Sequence, residues 1–232
     1  MTPSALENKF AYLFLKRIID CKSVIFLEAK MRYIVLDMEW NMPERRHLLV
    51  TDPIPLYGEI TQIGAVMLDE EMNETGEFNI EVIPKFYKKM NKKVEELTGI
   101  TYKELIENGV PFPEAITKFK EWCGDDSIIF TWGPSDLDMM VDNLIMYDMD
   151  YDWIPEDFDA QIMFDDQATQ EGRSFSLDYA VYYFGVKGIK AHDALNDARD
   201  TAGVMRHLDV AEFIRVEREW RAECDAEEKE DE

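Results

Sequence analysis

The sequence predicts an α/β domain whose mixed sheet is covered by helices. Three apolar, β-branched segments lie close together near the start, and after them helical periodicities alternate with a short buried strand. The first segment, Tyr33-Ile34-Val35-Leu36-Asp37-Met38-Glu39-Trp40, ends in two carboxylates separated by one residue.

In chain order, residues 1–30 read as an amphipathic helical extension, with Leu6, Phe10, Leu13 and Phe14 at helical spacing. No catalytic role is expected of it, and it is a candidate contact for a protein partner. The first core strand is predicted at 32–39, a second at 59–68 and a third at 77–83, ended by Pro84. A short polar connector at 69–76 suits a hairpin, so these strands form a meander. Helices are expected at 91–97, ending near Gly99, and at 113–123, with Pro113 in the opening turn. The stretch from Ser127 to Trp132 reads as a buried strand, and helices follow at 135–147, 174–184 and 193–208. The domain is bounded at 31–210, with 211–232 as an acidic, solvated tail.

With 232 residues, 46% hydrophobic and 12% aromatic, the chain suits one folded domain with a sizeable core. Cys21, Cys123 and Cys224 are odd in number, scattered and without Cys-x-x-Cys spacing. That argues against a disulfide framework and a structural zinc site, and for a reducing, cytoplasmic setting. Lys16, Arg17, Asp20 and Lys22 interrupt the apolar N-terminal stretch, so neither a membrane span nor an export signal is expected. The net charge of −24 argues against a tight grip on long duplexes, although cations bound among carboxylates would reverse the local field.

Side chains two apart on a strand share one face, about 6 to 7 Å apart. Asp37 and Glu39 therefore suit a pair of hard divalent cations roughly 3.5 to 4 Å apart, the arrangement that clamps a phosphoryl oxygen during in-line displacement. Asp136 opens a helix at the carboxyl edge of the buried strand, where α/β sheets place functional groups. Asp138 competes with it, and helix capping is open to either. In the run from Ala191 to Ala198, Asp193 is the expected N-cap, with His192 just outside the helix and Asp197 in its first turns. An imidazole, with a pKa ordinarily about 6.5, is matched to taking a proton from water.

Asp37-x-Glu39, Asp136 in Thr131-Trp132-Gly133-x-x-Asp136, and His192-x-x-x-x-Asp197 resemble the three exonuclease motifs of the DEDDh group in the RNase H-like (DnaQ-like) superfamily. The KapD and Eri-type exonucleases look nearest. The segments from Glu59 to Val66 and from Leu97 to Ile100 are also similar to that group, and the match runs over residues 31–208. The resemblance implies an RNase H-like five-stranded mixed sheet and a 3′ to 5′ exonuclease using two Mg²⁺ or Mn²⁺ ions. Its substrates would be single-stranded 3′ ends of RNA or DNA, with RNA or short oligonucleotides favoured. Asp37, Glu39 and Asp197 would hold the tighter metal, Asp37 would bridge to the second, Asp136 would support the second, and His192 would activate the attacking water. Met38 and Trp40 depart from the common pattern and are expected to shape the pocket for the terminal nucleotide. Trp40 would offer a stacking face of about 1 to 3 kcal/mol per base. A DNA proofreading exonuclease and a non-catalytic binding module of the same fold are the alternatives.

Lys85, Lys88, Lys89, Lys92 and Lys93 form a dense basic cluster in an acidic chain, readable as a phosphate track or as a solvated face. Trp132 is expected in the core. His47 and His207 lack partners of catalytic type, and Asp159, Asp165 and Asp166 read as exposed acids.

Overall fold

Alternation along the first strand decides how the sheet is covered. In the computed structural model, which describes residues 31–188 and 191–231, β1 (Arg32–Asn41) sends Ile34, Leu36, Met38 and Trp40 into one hydrophobic core and Tyr33, Val35, Asp37 and Glu39 to the opposite face. The helix expected at 1–30 lies outside the described residues. β2 (Glu59–Leu68) pairs antiparallel with β1, and β3 (Glu74–Ile83) antiparallel with β2, giving the expected meander. β5 (Ser127–Thr131) runs parallel to β1.

Two short edge strands, β4 (Val110–Pro111) and β6 (Asp157–Asp159), complete a six-stranded sheet in the order β4-β3-β2-β1-β5-β6. Six strands instead of five follows from these pieces, which are too short to show a period of two.

One face is packed by α3 (Phe112–Cys123) and α4 (Ser135–Met146), whose Phe112, Ile116, Phe119, Met140 and Leu144 meet Ile34 and Leu36. Burying five such side chains stabilises the layer by about 1.5 to 3 kcal/mol each. The other face carries α7 (Ala194–Met205), which lies on β1 and β2. α1 (Lys92–Thr98) opens on Asn91, whose side chain accepts from the Lys93 N–H, and closes on Gly99 at φ 79°. α2 (Tyr102–Asn108) was not anticipated. Its signal is a capping box in which Thr101 accepts from the Glu104 N–H while Glu104 accepts from the Thr101 N–H.

α5 (Ala160–Phe164) and α6 (Leu177–Phe184) precede α7, and α8 (Val210–Asp231) ends the chain. α8 gives the acidic segment expected at 211–232 a helical form, buried at its start and exposed over most of 215–227. Val210, Phe213 and Ile214 are buried, Phe213 meets Phe158 with ring centroids 6.2 Å apart, and Arg218 reaches Glu156 at 2.5 Å. Arg215 bridges Glu212 and Glu219 one turn to either side, supporting helix in an acidic sequence. Among the described residues no helix is long and apolar enough to cross a membrane. Cys123 is buried in the core, which pushes its thiol up to about 12, and it forms no disulfide.

Candidate active site

Asp37 and Glu39 project from β1 toward the side covered by α7. Opposite Asp37 on β2 stands Gly64. A Cβ there would come within 2.1 Å of the Leu195 nitrogen and 2.3 Å of the Ala194 carbonyl carbon, so only glycine lets the first turn of α7 sit this close. Gln62, beside Glu39 in the ladder, accepts from the Ala194 N–H at 3.2 Å and donates to Asp193 at 3.5 Å. Asp193 is the expected N-cap and accepts from the Asn196 N–H. β2 thereby seats the helix that carries the last acid.

Asp136 arrives from the other direction. The β1–β5 ladder ends at the Val35–Phe130 pair, and beyond it the Asp136 carboxylate accepts from the Met38 N–H at 2.8 Å. The acid is 5% exposed, whereas Asp138 is exposed on the same helix, so Asp136 alone of the two reaches β1. Asn143 anchors this helix to β2 by donating to the Gly58 carbonyl at 3.0 Å and accepting from the Ile60 N–H.

His192 sits at φ 61°, a left-handed conformation uncommon for a non-glycine residue and characteristic of constrained sites. Its N–H donates to the Asp197 carboxylate at 2.9 Å, which fixes the histidine to the first turn of α7. One carboxylate oxygen each from Glu39 and Asp197 and one imidazole nitrogen of His192 lie within 4.8 Å of one another. The imidazole is exposed, while Glu39 and Asp197 are half-buried.

The electrostatics follow from packing acids together. Burial, then the charges of Asp136, Asp197, Glu39 and Asp193, hold the Asp37 carboxyl far above the usual carboxylate range. Burial, followed by Asp197, Asp136 and Asp193, raises Glu39 to about 7. Burial raises Asp136 to about 7 against the opposing hydrogen bond from Met38. Burial also raises Asp197, against the His192 N–H and imidazole. Such a set is relieved either by protons or by cations. Its donors are carboxylate oxygens with one imidazole, a set that suits a divalent cation.

Met38 and Trp40 share the face of β1 opposite the two acids. Met38 is 3% exposed and belongs to the core, contributing its backbone N–H to the site but no side-chain face. Trp40 lies on that same side of β1, against the core beside Gly58 and Met139, because even positions alternate away from the acids. Trp132 packs beside Phe164 and donates its indole N–H to the Phe175 carbonyl, as a core residue does. Asp159 and Asp165 are not idle surface acids. Asp159 caps α5 and accepts from the Gly133 N–H, and Asp165 accepts from Thr169 and from the N–H groups of Glu171, Gly172 and Arg173. Gln62 and Gly64 are the positioning residues that motif reading passed over. Their signal is a glutamine and a glycine inside the strand segment from Glu59 to Val66.

An exonuclease family model, RNase T, matches residues 34–205. Over 185 residues the chain is 28% identical to the PolC-type DNA polymerase III of Thermotoga maritima, covering 79% of this chain and 12% of that protein. Among solved structures, the nuclease domain of 3′hExo, a DEDDh family member bound to rAMP, superposes with a TM-score of 0.66 at 16% identity, covering 77% of this chain and 92% of that one. Exonuclease I of E. coli in complex with a dT13 oligonucleotide gives 0.62 at 18% identity, covering 76% and 40%. The chain thus spans only a part of the polymerase and of exonuclease I, and at these identities the solved structures speak for the fold. The family model covers most of the chain, from the strand that bears Asp37 and Glu39 through the helix that bears Asp197, and the protein belongs to the RNase T exonuclease family, with the residue order of its DEDDh group.

Proposed function

We propose that this protein is a metal-dependent 3′ to 5′ exonuclease that removes terminal nucleotides from single-stranded nucleic acid, with RNA or short oligonucleotides favoured. The observation that carries the reading is the convergence of Glu39, His192 and Asp197 within 4.8 Å, beside an Asp136 bonded to the backbone between the two strand acids. Asp37, Glu39, Asp136 and Asp197 would hold two Mg²⁺ or Mn²⁺ ions, which when bound supply Lewis-acid stabilisation to the scissile phosphodiester and its departing 3′ oxygen.

His192 is the general base. Its exposed imidazole nitrogen takes a proton from the attacking water and passes it to solvent. Water oxygen bonds to phosphorus, the bond to the penultimate 3′ oxygen breaks, that oxygen takes a proton from solvent to become the new 3′ hydroxyl, and a nucleoside 5′-monophosphate leaves. Asp197 holds His192 in place by accepting its backbone N–H, so the base and a carboxylate of the site move as one unit.

The test incubates 5′-labelled RNA and DNA oligonucleotides with the protein and Mg²⁺ or Mn²⁺, beside an Asp37→Ala control and a chelated sample. A shortening ladder lost in both controls is expected. Intact label throughout would leave a non-catalytic binding module. The similarity to a PolC-type polymerase favours DNA as a second reading, and faster shortening of the DNA strand would select it.

A further inference from the structure

Two short segments of this acidic chain are locally basic. Residues 42–50 and 84–93 hold seven Lys and Arg against one acid, Glu44, in a protein of net charge −24. The structure joins these two segments into one surface. Lys89 pairs with Glu44 at 2.5 Å, Asn91 donates to the Pro43 carbonyl at 3.4 Å, and the Tyr87 hydroxyl accepts from the Val50 N–H at 3.2 Å.

The strip is fixed directly to the catalytic strand. Asn41, two residues beyond Glu39 and thus about 6 to 7 Å along β1, is fully buried, donates to the Tyr87 and Lys89 carbonyls, and accepts from the Asn91 N–H at 2.8 Å. From below, the buried Glu59 carboxylate accepts from three successive backbone N–H groups, those of Lys85, Phe86 and Tyr87, at 2.5 to 3.0 Å. The loop is therefore held in one shape before any ligand arrives.

Between the two segments opens a cavity of about 320 Å³, lined by Met42, Leu48, Phe86, Lys88 and the Lys89–Glu44 pair, which among the described residues leaves Lys88 as its unneutralised ammonium. Met42 and Leu48 are 40% and 50% exposed, so apolar surface and ammonium groups stand side by side. A phosphate backbone with attached bases presents that same pairing of anion and flat apolar face. An acidic or aliphatic partner would match only half of it.

We propose that this strip binds the phosphodiester backbone of the nucleotides preceding the terminal one, with Lys88, Lys92 and Lys93 as phosphate contacts and the Met42–Leu48 cavity receiving a base. The proposal rests on the nuclease reading above, and it explains how a strongly acidic protein holds a polyanion: the attraction is local, next to the site, and not spread over the surface.

The experiment measures binding apart from catalysis. A K88Q/K92Q/K93Q variant and a control with the same charge change elsewhere, K103Q/K118Q/K120Q, are titrated against a fluorescent single-stranded 12-mer with Ca²⁺, by anisotropy, from about 0.05 to 0.3 M salt. All six lysines are exposed, so both variants keep the fold. The strip variant should bind roughly tenfold more weakly at about 0.1 M salt, with its log-log salt slope shallower by about 2, while the control matches the parent protein. Equal affinity and slope in strip variant and parent would overturn the proposal, as would equal losses in both variants. Displacement of the 12-mer by poly-L-glutamate at equal charge would also overturn it, as the mark of a general anion surface. The two readings fail separately. Strip-dependent binding without cleavage in Mg²⁺ or Mn²⁺ would sink the enzyme and leave the strip, and cleavage with unaltered KM in the strip variant would do the reverse.

Discussion

Replacing Glu39 by Gln should make the metal-free protein more stable while making it inactive. In the folded protein burial and then the charges of Asp197, Asp136 and Asp193 raise the Glu39 carboxyl from its ordinary 4.5 to about 7. Between those two pH values the folded chain holds a proton that the unfolded chain releases. Stability in the absence of metal therefore falls as pH rises through that window and levels off above it. At about 1.4 kcal/mol per pH interval of one, the loss is bounded at about 3.5 kcal/mol. Glu39 is half-buried, and solvent screening lowers the figure to about 1 to 2 kcal/mol.

Glutamine keeps the shape and carries no charge to desolvate. In chelator at pH 8 the variant should melt about 2 to 8 °C above the parent, and the gap should close by pH 4.5, where the parent carboxyl is protonated too. Mg²⁺ or Mn²⁺ should raise the melting temperature of the parent and much less that of the variant, because a bound cation relieves the same repulsion. Differential scanning calorimetry at both pH values, with and without metal, makes the measurement. A variant that melts at or below the parent at pH 8 in chelator, or a gap that ignores pH, would refute the account of the site as mutually repelling acids.

Gly64→Ala drives a methyl group into the backbone of Ala194 and Leu195, which must shift His192 and Asp197; kcat should fall by about 10²-fold in a protein that still folds by circular dichroism, and an unchanged kcat would remove the close approach from the mechanism. Asp136→Asn retains an oxygen for the Met38 N–H yet should also reduce kcat by about 10²-fold, while Asp138→Asn leaves it alone; equal effects would show that the wrong acid has been chosen. Glu59→Ala strands three loop N–H groups and should lower stability by about 3 to 5 kcal/mol, read by urea denaturation; a loss under about 1 kcal/mol would mean that water replaces the carboxylate.

The legible parts of the chain are those where one residue type answers one physical demand. Asp37 and Glu39 could be read because acids at the end of an otherwise apolar strand need partners, and Asp193 because a short acid before a helical stripe is a cap. α2 carries one local signal, the capping signature of Thr101 and Glu104, in a segment with little amphipathic contrast. The edge strands were not readable, because Val110–Pro111 and Asp157–Asp159 pair only where the fold brings an open ladder beside them. The C-terminal helix was hidden by its own composition, since three buried residues at its start and arginines pairing with acids outweigh a run of like charge.

Trp40 teaches a different lesson. A large aromatic beside a candidate catalytic acid invites a stacking role, yet a strand gives neighbours opposite faces, so adjacency in sequence argues against a shared face. The rule that turns Trp40 and Met38 toward the core side is the rule that unites Asp37 with Glu39. A register slip of one residue on β1 would bury both acids in the apolar layer and turn Met38 and Trp40 toward α7, at several kcal/mol for each charge moved. Core and candidate site are therefore specified by one alternating pattern, and the apolar half of β1 fixes which way the acidic half points. The Met38 N–H, donated sideways to Asp136, extends the same strand's control to an acid 98 residues away.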